Sequence, residues 1–289
     1  MKIILISITN FQEYIIDNIK NLLLFENNDI VVITEKEFFY KLKDYPVQLI
    51  DKNDLEDFNF NAISNLDKNF RNGFWHLCSL RFFYLYSYIK NNNIENCVHL
   101  ENDVMTYINF DELLIHKLRK IYVTYDCETR VIPGIIFIPN YELFKPVIEN
   151  YNTRLNDMEN LANFDFEPFP IFPMELKNLS YIMNNINKYN KNFIIFNSIF
   201  DAAAIGQYLG GVDKRNIPGN TEGFINETCV IKYNNYKFYW IKENELYVPY
   251  IEINNKLLYK INNLHIHSKE LYKFIANNPT ENNFIKINC

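Results

Sequence analysis

The stretch Ile3 to Ile8, apolar apart from one serine, stops at Thr9 and Asn10; Ile15, Ile19, Leu22 and Leu23 then recur at three- and four-residue spacing. A short β-branched run suits a strand buried on both faces. The spacing that follows suits one side of a helix packed on that strand. Strand, polar turn and helix therefore form the opening unit. Ile30 to Thr34 and Pro46 to Ile50 are further short apolar runs between charged and turn residues. They read as neighbouring strands of a doubly wound α/β sheet.

Phe74 to Ile89 sets Phe74, Leu77, Cys78, Leu85 and Ile89 on a common apolar side, which predicts a helix ended by Asn91, Asn92 and Asn93. Cys97 to Leu100 predicts a short strand running into Glu101-Asn102-Asp103. A helix is expected over Phe110 to Leu118, and strands over Ile121 to Tyr125 and Val131 to Ile138. Pro133 would put the last of these at an edge or delay its start. Tyr151 to Pro173 mixes acidic residues with Pro168, Pro170 and Pro173 and reads as a loop-rich crossing. Phe193 to Phe196 resumes strand character, and Asp201 to Leu209 suits a short helix closed by Gly210 and Gly211. Val230 to Tyr233, Tyr236 to Ile241, Leu246 to Ile253 and Lys256 to Ile261 lie between Asn-rich turns and predict an antiparallel annex.

Composition narrows the function classes. The 289 residues carry a formal charge of -6 without a long basic run, which disfavours a nonspecific nucleic-acid binder. Five scattered cysteines without a C-x-x-C pair suit reduced thiols in a cytoplasmic compartment. The first apolar run is too short for a signal segment, and no stretch of about 18 uncharged apolar residues predicts a membrane span. Asparagine is roughly one residue in six, as A/T-rich coding would produce, so an isolated Asn carries little information.

Two clusters can carry chemistry. Glu101 and Asp103, two residues apart at a strand's end, can turn toward one hard cation such as Mg2+ or Mn2+; a solvated acidic turn would use the same residues. His265-Ile266-His267-Ser268-Lys269 sets two imidazoles on one strand face with an ammonium close behind. One histidine could complete the cation site while Lys269 neutralises a phosphate; a surface strand with exposed histidines is the plainer alternative. Arg81, in the helix with Trp75, His76 and Tyr84, could contact a diphosphate or simply pair with a carboxylate. Asp201 opens the run DAAAIGQYLGG, whose small residues allow close approach to another backbone. It can cap a helix, accept a sugar hydroxyl or take a proton. Gly206 inside that run invites a packing explanation. Thr9 and Asn10 end the first strand, where a base or ribose could lie. Asp157 and Glu159, and the Asp213-Lys214-Arg215 turn, read as solvated charges. Dinucleotide, P-loop and nucleophile-elbow glycine motifs are absent.

The order of strand, helix, strand, acidic triplet and late His-x-His-x-Lys segment resembles nucleotide-sugar-dependent glycosyltransferases of GT-A fold. Glu101-Asn102-Asp103 resembles their D-x-D metal motif, with Glu in place of the first Asp. His265 or His267 resembles the C-terminal histidine that completes the metal site, and Lys269 the diphosphate-binding lysine. The spacing differs from the H-x-x-G-x-x-K pattern, which leaves the choice of histidine open. FDAAAIGQYLGG is similar to a segment of uncharacterised glycosyltransferase-like proteins of microbes and large viruses, where Asp201 would face a sugar.

The resemblance implies a mixed central sheet flanked by helices with a small antiparallel annex. It implies one domain over 1–289, with a nucleotide-binding half at 1–108 and an acceptor-binding half with the metal and phosphate segment at 109–289. The implied reaction moves a sugar from a nucleoside diphosphate sugar, foremost a UDP-sugar, to a glycan or small hydroxyl acceptor. Its implied metal ligands are Glu101, Asp103 and His265 or His267. Asp103 and Asp201 are the implied catalytic groups, with Asp201 as general base if transfer inverts the anomeric centre and as an orienter of sugar hydroxyls if it retains it. Thr9, Asn10, Arg81, Asn102 and Lys269 are implied to bind the donor. Membrane-span and nucleic-acid partners are not implied, and a homodimer is compatible. A sugar nucleotidyltransferase or a non-catalytic glycan-binding or structural viral protein are the competing readings.

Overall fold

The computed structural model describes residues 1–69, 72–113, 119–127, 130–150, 166–168, 198–203, 205–206, 236–253, 257–281 and 284–287. Asp157, Glu159, Phe193 to Phe196, residues 207–211, the 213–215 turn and Val230 to Tyr233 lie outside the described residues.

Strand β1 (Lys2–Ser7) pairs in parallel with β2 (Ile30–Thr34) on one side and β4 (Cys97–Leu100) on the other. Strand β3 (Val47–Asp51) adds in parallel to β2. Beyond β4 the direction reverses. Strand β7 (Arg130–Ile138) runs antiparallel to β4, β6 (Tyr122–Cys127) antiparallel to β7, and the short β8 (Glu167–Pro168) parallel to β6. The order across the sheet is β3-β2-β1-β4-β7-β6-β8.

Period-two alternation assigns each strand residue to one of two cores. Ile3, Leu5, Ile30 and Val32 meet Ile15, Ile19 and Leu22 of α1 (Ile15–Leu24) on one face. Ile4, Ile6, Val31 and Ile33 meet α3 (Phe74–Asn91), α4 (Tyr141–Asn150) and Phe60 of the short α2 (Phe60–Ile63) on the other. Each such side chain withdrawn from water stabilises the fold by about 1.5–3 kcal/mol. Helix α3 is buried on every side from Ser79 to Ile89, and not on the single face its apolar spacing predicts. Helix α4 covers its outer side, with the Phe144 ring 6.2 Å from that of Phe82.

The annex is a five-stranded sheet, β14-β10-β11-β12-β9. Strands β10 (Lys237–Glu243), β11 (Leu246–Ile253) and β12 (Leu257–Ile261) form the expected antiparallel meander. Its first turn is Asn244-Glu245, both at positive φ, the backbone of a two-residue hairpin. The annex is mixed, because β14 (Phe284–Ile287) runs parallel to β10 and β9 (Ser198–Ile199) parallel to β12. Fully buried Trp240 stacks on Phe284 at its centre.

Two local expectations are corrected. Strand β7 lies inside the sheet and not at its edge. Pro133 is tolerated there because the pairing with β6 slips between Val123 and Tyr125, so no regular ladder hydrogen bond is asked of its missing N–H. A 3-10 turn over Phe110–Leu113 stands where a helix was expected; Leu114 to Leu118 lie outside the described residues. Asn109 Oδ1 accepts the Asp111 N–H at 2.9 Å and so caps the start of this turn. The mixed α/β sheet flanked by helices, with a second sheet as annex, is the fold class expected from the sequence.

Candidate metal centre

The parallel half of the sheet changes winding between β1 and β4, and their carboxyl ends lie side by side because Leu5 is in register with Leu100. Crevices at such points collect ligands in open α/β sheets. The chain leaves β4 there, turns at Glu101 to Asp103 and enters β5 (Val104–Thr106). Strand β5 pairs antiparallel with β13 (Asn263–His265), with His265 opposite Val104. The Ile266 N–H donates to the Asp103 carbonyl at 2.8 Å. This two-stranded ribbon brings together residues more than 160 positions apart in sequence.

Glu101, Asp103 and His265 each offer a ligand atom, and these atoms lie within 4.8 Å of one another. His265 Nε2 is 3.1 Å from Glu101 Oε2 and 3.3 Å from Asp103 Oδ1. Cations flank the group: Arg81 Nη2 lies 2.5 Å from Glu101 Oε1, and Lys269 Nζ pairs with Asp103 Oδ2. Burial alone would raise both carboxyls, but Arg81 beside Glu101 and Lys269 beside Asp103, each with His265, outweigh it and hold both well below the usual carboxylate range. Burial would lower His265, yet the two carboxylates raise it to about 10. Two hard oxygens and one imidazole nitrogen converging at a strand end fit a divalent cation of the Mg2+ or Mn2+ kind.

His267 stands beside this group, its ring 4.8 Å from that of His265 and edge-on to it. Burial, then the neighbouring His265 and Lys269, push it down to about 3. Two glycines make room for His265. A Cβ at Gly134 would sit 3.2 Å from its Nδ1, and one at Gly206 only 2.6 Å from its backbone N and O. The close approach suggested by the small-residue run is therefore made against His265 itself.

Asp201 lies under that strand, 2% exposed. Oδ1 accepts the Ile205 N–H at 2.8 Å, and Oδ2 accepts those of Gly206 at 2.7 Å and His265 at 3.0 Å. Burial raises its carboxyl above the ordinary range against these three amides. Asn263 clasps the same residue, accepting the Asp201 N–H and donating to its carbonyl, both at 2.9 Å. Asn102 turns beneath β1 and donates to the Ile6 carbonyl at 2.7 Å and Gln12 Oε1 at 2.5 Å. Thr9 and Asn10 are exposed just past β1, with the Thr9 N–H on Glu35 Oε1 at 2.7 Å.

Sequence reasoning missed three buried asparagines. Asn18 of α1 directs Nδ2 at the carbonyls of Asn102 and Val104 at 3.1 and 3.0 Å, with that of Glu101 at 3.4 Å. Asn21 donates to the Thr106 carbonyl at 2.6 Å and accepts the Ala276 N–H at 2.9 Å. Asn27 donates to the Ile108 carbonyl at 2.9 Å and accepts the Phe110 N–H at 3.0 Å. Carbonyls 102, 104, 106 and 108 are thus satisfied by side-chain amides where a neighbouring strand would otherwise serve. The usable signal was position: Asn18 and Asn21 interrupt the apolar stripe of Ile15, Ile19 and Leu22.

No family model matches the chain, and no curated protein does. Among solved structures it is similar to a galactosyltransferase, LgtC, in complex with donor and acceptor sugar analogs (11% identity, 50% of this chain and 60% of that one, TM-score 0.33). Mouse xyloside xylosyltransferase 1 is similar at 12% identity (56% and 73%, TM-score 0.34). A cytidylyltransferase from Leptospira borgpetersenii is similar at 14% (66% and 95%, TM-score 0.36). The chain thus spans about 60% of the length of the galactosyltransferase. None reaches a TM-score of 0.5, so the side-chain geometry of this chain, and not the likeness, carries the functional reading.

Proposed function

We propose that the chain is a metal-dependent glycosyltransferase of the GT-A kind, moving a sugar from a nucleoside diphosphate sugar, foremost a UDP-sugar, to a hydroxyl of a glycan or small acceptor. One observation carries this reading: Glu101, Asp103 and His265 converge beside the carboxyl ends of β1 and β4, flanked by Arg81 and Lys269. Glu101, Asp103 and His265 would hold Mn2+ or Mg2+. When bound, the cation offsets charge on the departing diphosphate.

Lys269 is assigned to the diphosphate, as the ammonium already placed at Asp103. Arg81 fixes the Glu101 carboxylate through its ion pair. Thr9 and Asn10 are assigned to the nucleoside, at the exposed end of β1. Asn102 braces the turn from below. For Asp201 we favour holding the His265 strand over taking a proton from the acceptor, because its oxygens already accept three backbone amides. The reading keeps 1–289 as one domain in a reducing, cytoplasmic compartment, with the nucleoside in the 1–108 half and the metal and phosphate segment in the 109–289 half. No helix among the described residues is long and apolar enough to cross a membrane.

Melting-temperature shifts across nucleoside diphosphate sugars with Mn2+ test the proposal, since a ligand of the native state raises the transition. One sugar donor should stabilise the chain above every nucleoside triphosphate and be hydrolysed slowly in a metal-dependent way; Asp103→Ala should abolish that hydrolysis and keep the fold. A larger shift with a nucleoside triphosphate would favour a nucleotidyltransferase, and sugar binding without turnover a glycan-binding module.

A further inference from the structure

We propose that Asn18 is a positioning residue of the cation site, holding the turn that bears Glu101 and Asp103, a role that rests on the metal reading above. The turn closes on itself with the Val104 N–H on the Glu101 carbonyl at 3.1 Å. Three of its carbonyls, from Glu101, Asn102 and Val104, converge on one fully buried Nδ2 of α1. An amide nitrogen has only two hydrogens, which serve the carbonyls of Asn102 and Val104, with that of Glu101 in looser reach at 3.4 Å. With the carbonyls drawn toward α1, the carboxylates of Glu101 and Asp103 meet His265, Arg81 and Lys269 instead. Asn18 touches no ligand atom of the site; it sets the backbone from which two of the three ligands project.

The other end of the same amide supports this reading. Asn18 Oδ1 is buried without a hydrogen-bond partner among the described residues, a cost that an apolar side chain at this place in the stripe would not carry. The residue is explained by its donors alone. Asn21, one helical turn on, differs: its donor and acceptor are both satisfied, and it ties β5 to Ala276, away from the ligands. The two asparagines share helix, burial and partner segment, and differ in whether the carbonyls they hold belong to the turn that bears the ligands.

The test is a Mn2+ titration followed by electron paramagnetic resonance on the full chain and on Asn18→Leu, Asn18→Ser and Asn21→Leu, with melting temperatures recorded alongside. Both leucine variants should melt lower by similar amounts. The Asn18 variants should bind Mn2+ about 10- to 100-fold more weakly, the usual cost of losing a group that orients metal ligands. Asn21→Leu should keep wild-type affinity. If Asn18→Leu does not fold, Asn18→Ser, whose smaller side chain admits water to the carbonyls, is read in its place. Wild-type affinity in a folded Asn18 variant, or equal loss in Asn21→Leu, overturns the positioning role and leaves the metal reading standing. Absence of saturable Mn2+ binding by the unmodified chain overturns the metal reading, and the role of Asn18 with it.

Discussion

The turn that carries Glu101 and Asp103 is held by a neutral donor, Asn18, whereas the strand that carries His265 is held by a buried carboxylate, Asp201. In the first case three carbonyls gather around one amide group. In the second, three N–H groups gather around one carboxylate. The polarity of each brace follows from the backbone it meets. A turn leaving β4 presents its carbonyls to α1, while the segment after β9 and the His265 strand both turn amides toward the Asp201 carboxylate, across a contact too close for a side chain at Gly206. Two segments distant in sequence thus reach one candidate cation site, each on a brace of its own.

The contrast breaks most severely at Asp201. Asp201→Leu leaves three amides without an acceptor at about 1–3 kcal/mol each, so a loss of about 3 kcal/mol or more is expected in chemical denaturation, together with loss of Mn2+ binding. Wild-type stability in this variant would show that the amides find other partners. Gly206→Ala comes next. Its added methyl must displace the His265 backbone, which should cost about 1–3 kcal/mol and weaken Mn2+ binding in calorimetric titration. An unchanged affinity would mean that the contact bears no weight. Lys269→Ala should have the smallest effect on stability, about 1–2 kcal/mol, because Lys269 is partly exposed and the buried Asp103 keeps His265 as its other cationic neighbour. It sharpens the comparison by removing the ammonium that competes for Asp103. Mn2+ should bind as tightly as in wild type or more so, while KM for the sugar donor rises about tenfold, the equivalent of one charge-assisted hydrogen bond. A fall in Mn2+ affinity would contradict that assignment.

Much of the scaffold was legible because alternation in β1 and β2 and the helical spacing of α1 are local signals that the two cores then use. The acidic turn was legible for the same reason, as a polar triplet ending an apolar run. What the chain hid follows from context beyond the local segment. Pro133 reads as an edge residue until β6 slips opposite it. Which of His265 and His267 stands beside Glu101 and Asp103 follows from the register of His265 with Val104, which no property of either residue reveals. Asn18, Asn21 and Asn27 were concealed by abundance. In a chain so rich in asparagine, an amide inside an apolar stripe looks like background, although burial makes it the costliest place to leave one without purpose.

The central claim is that Glu101, Asp103 and His265 surround one divalent cation. Pulsed electron paramagnetic resonance of bound Mn2+ tests it most directly, by counting imidazole nitrogens coupled to the metal. A single nitrogen coupling is expected, lost in His265→Ala and kept in His267→Ala. A coupling that survives His265→Ala, or bound Mn2+ showing none in the unmodified chain, would contradict the account.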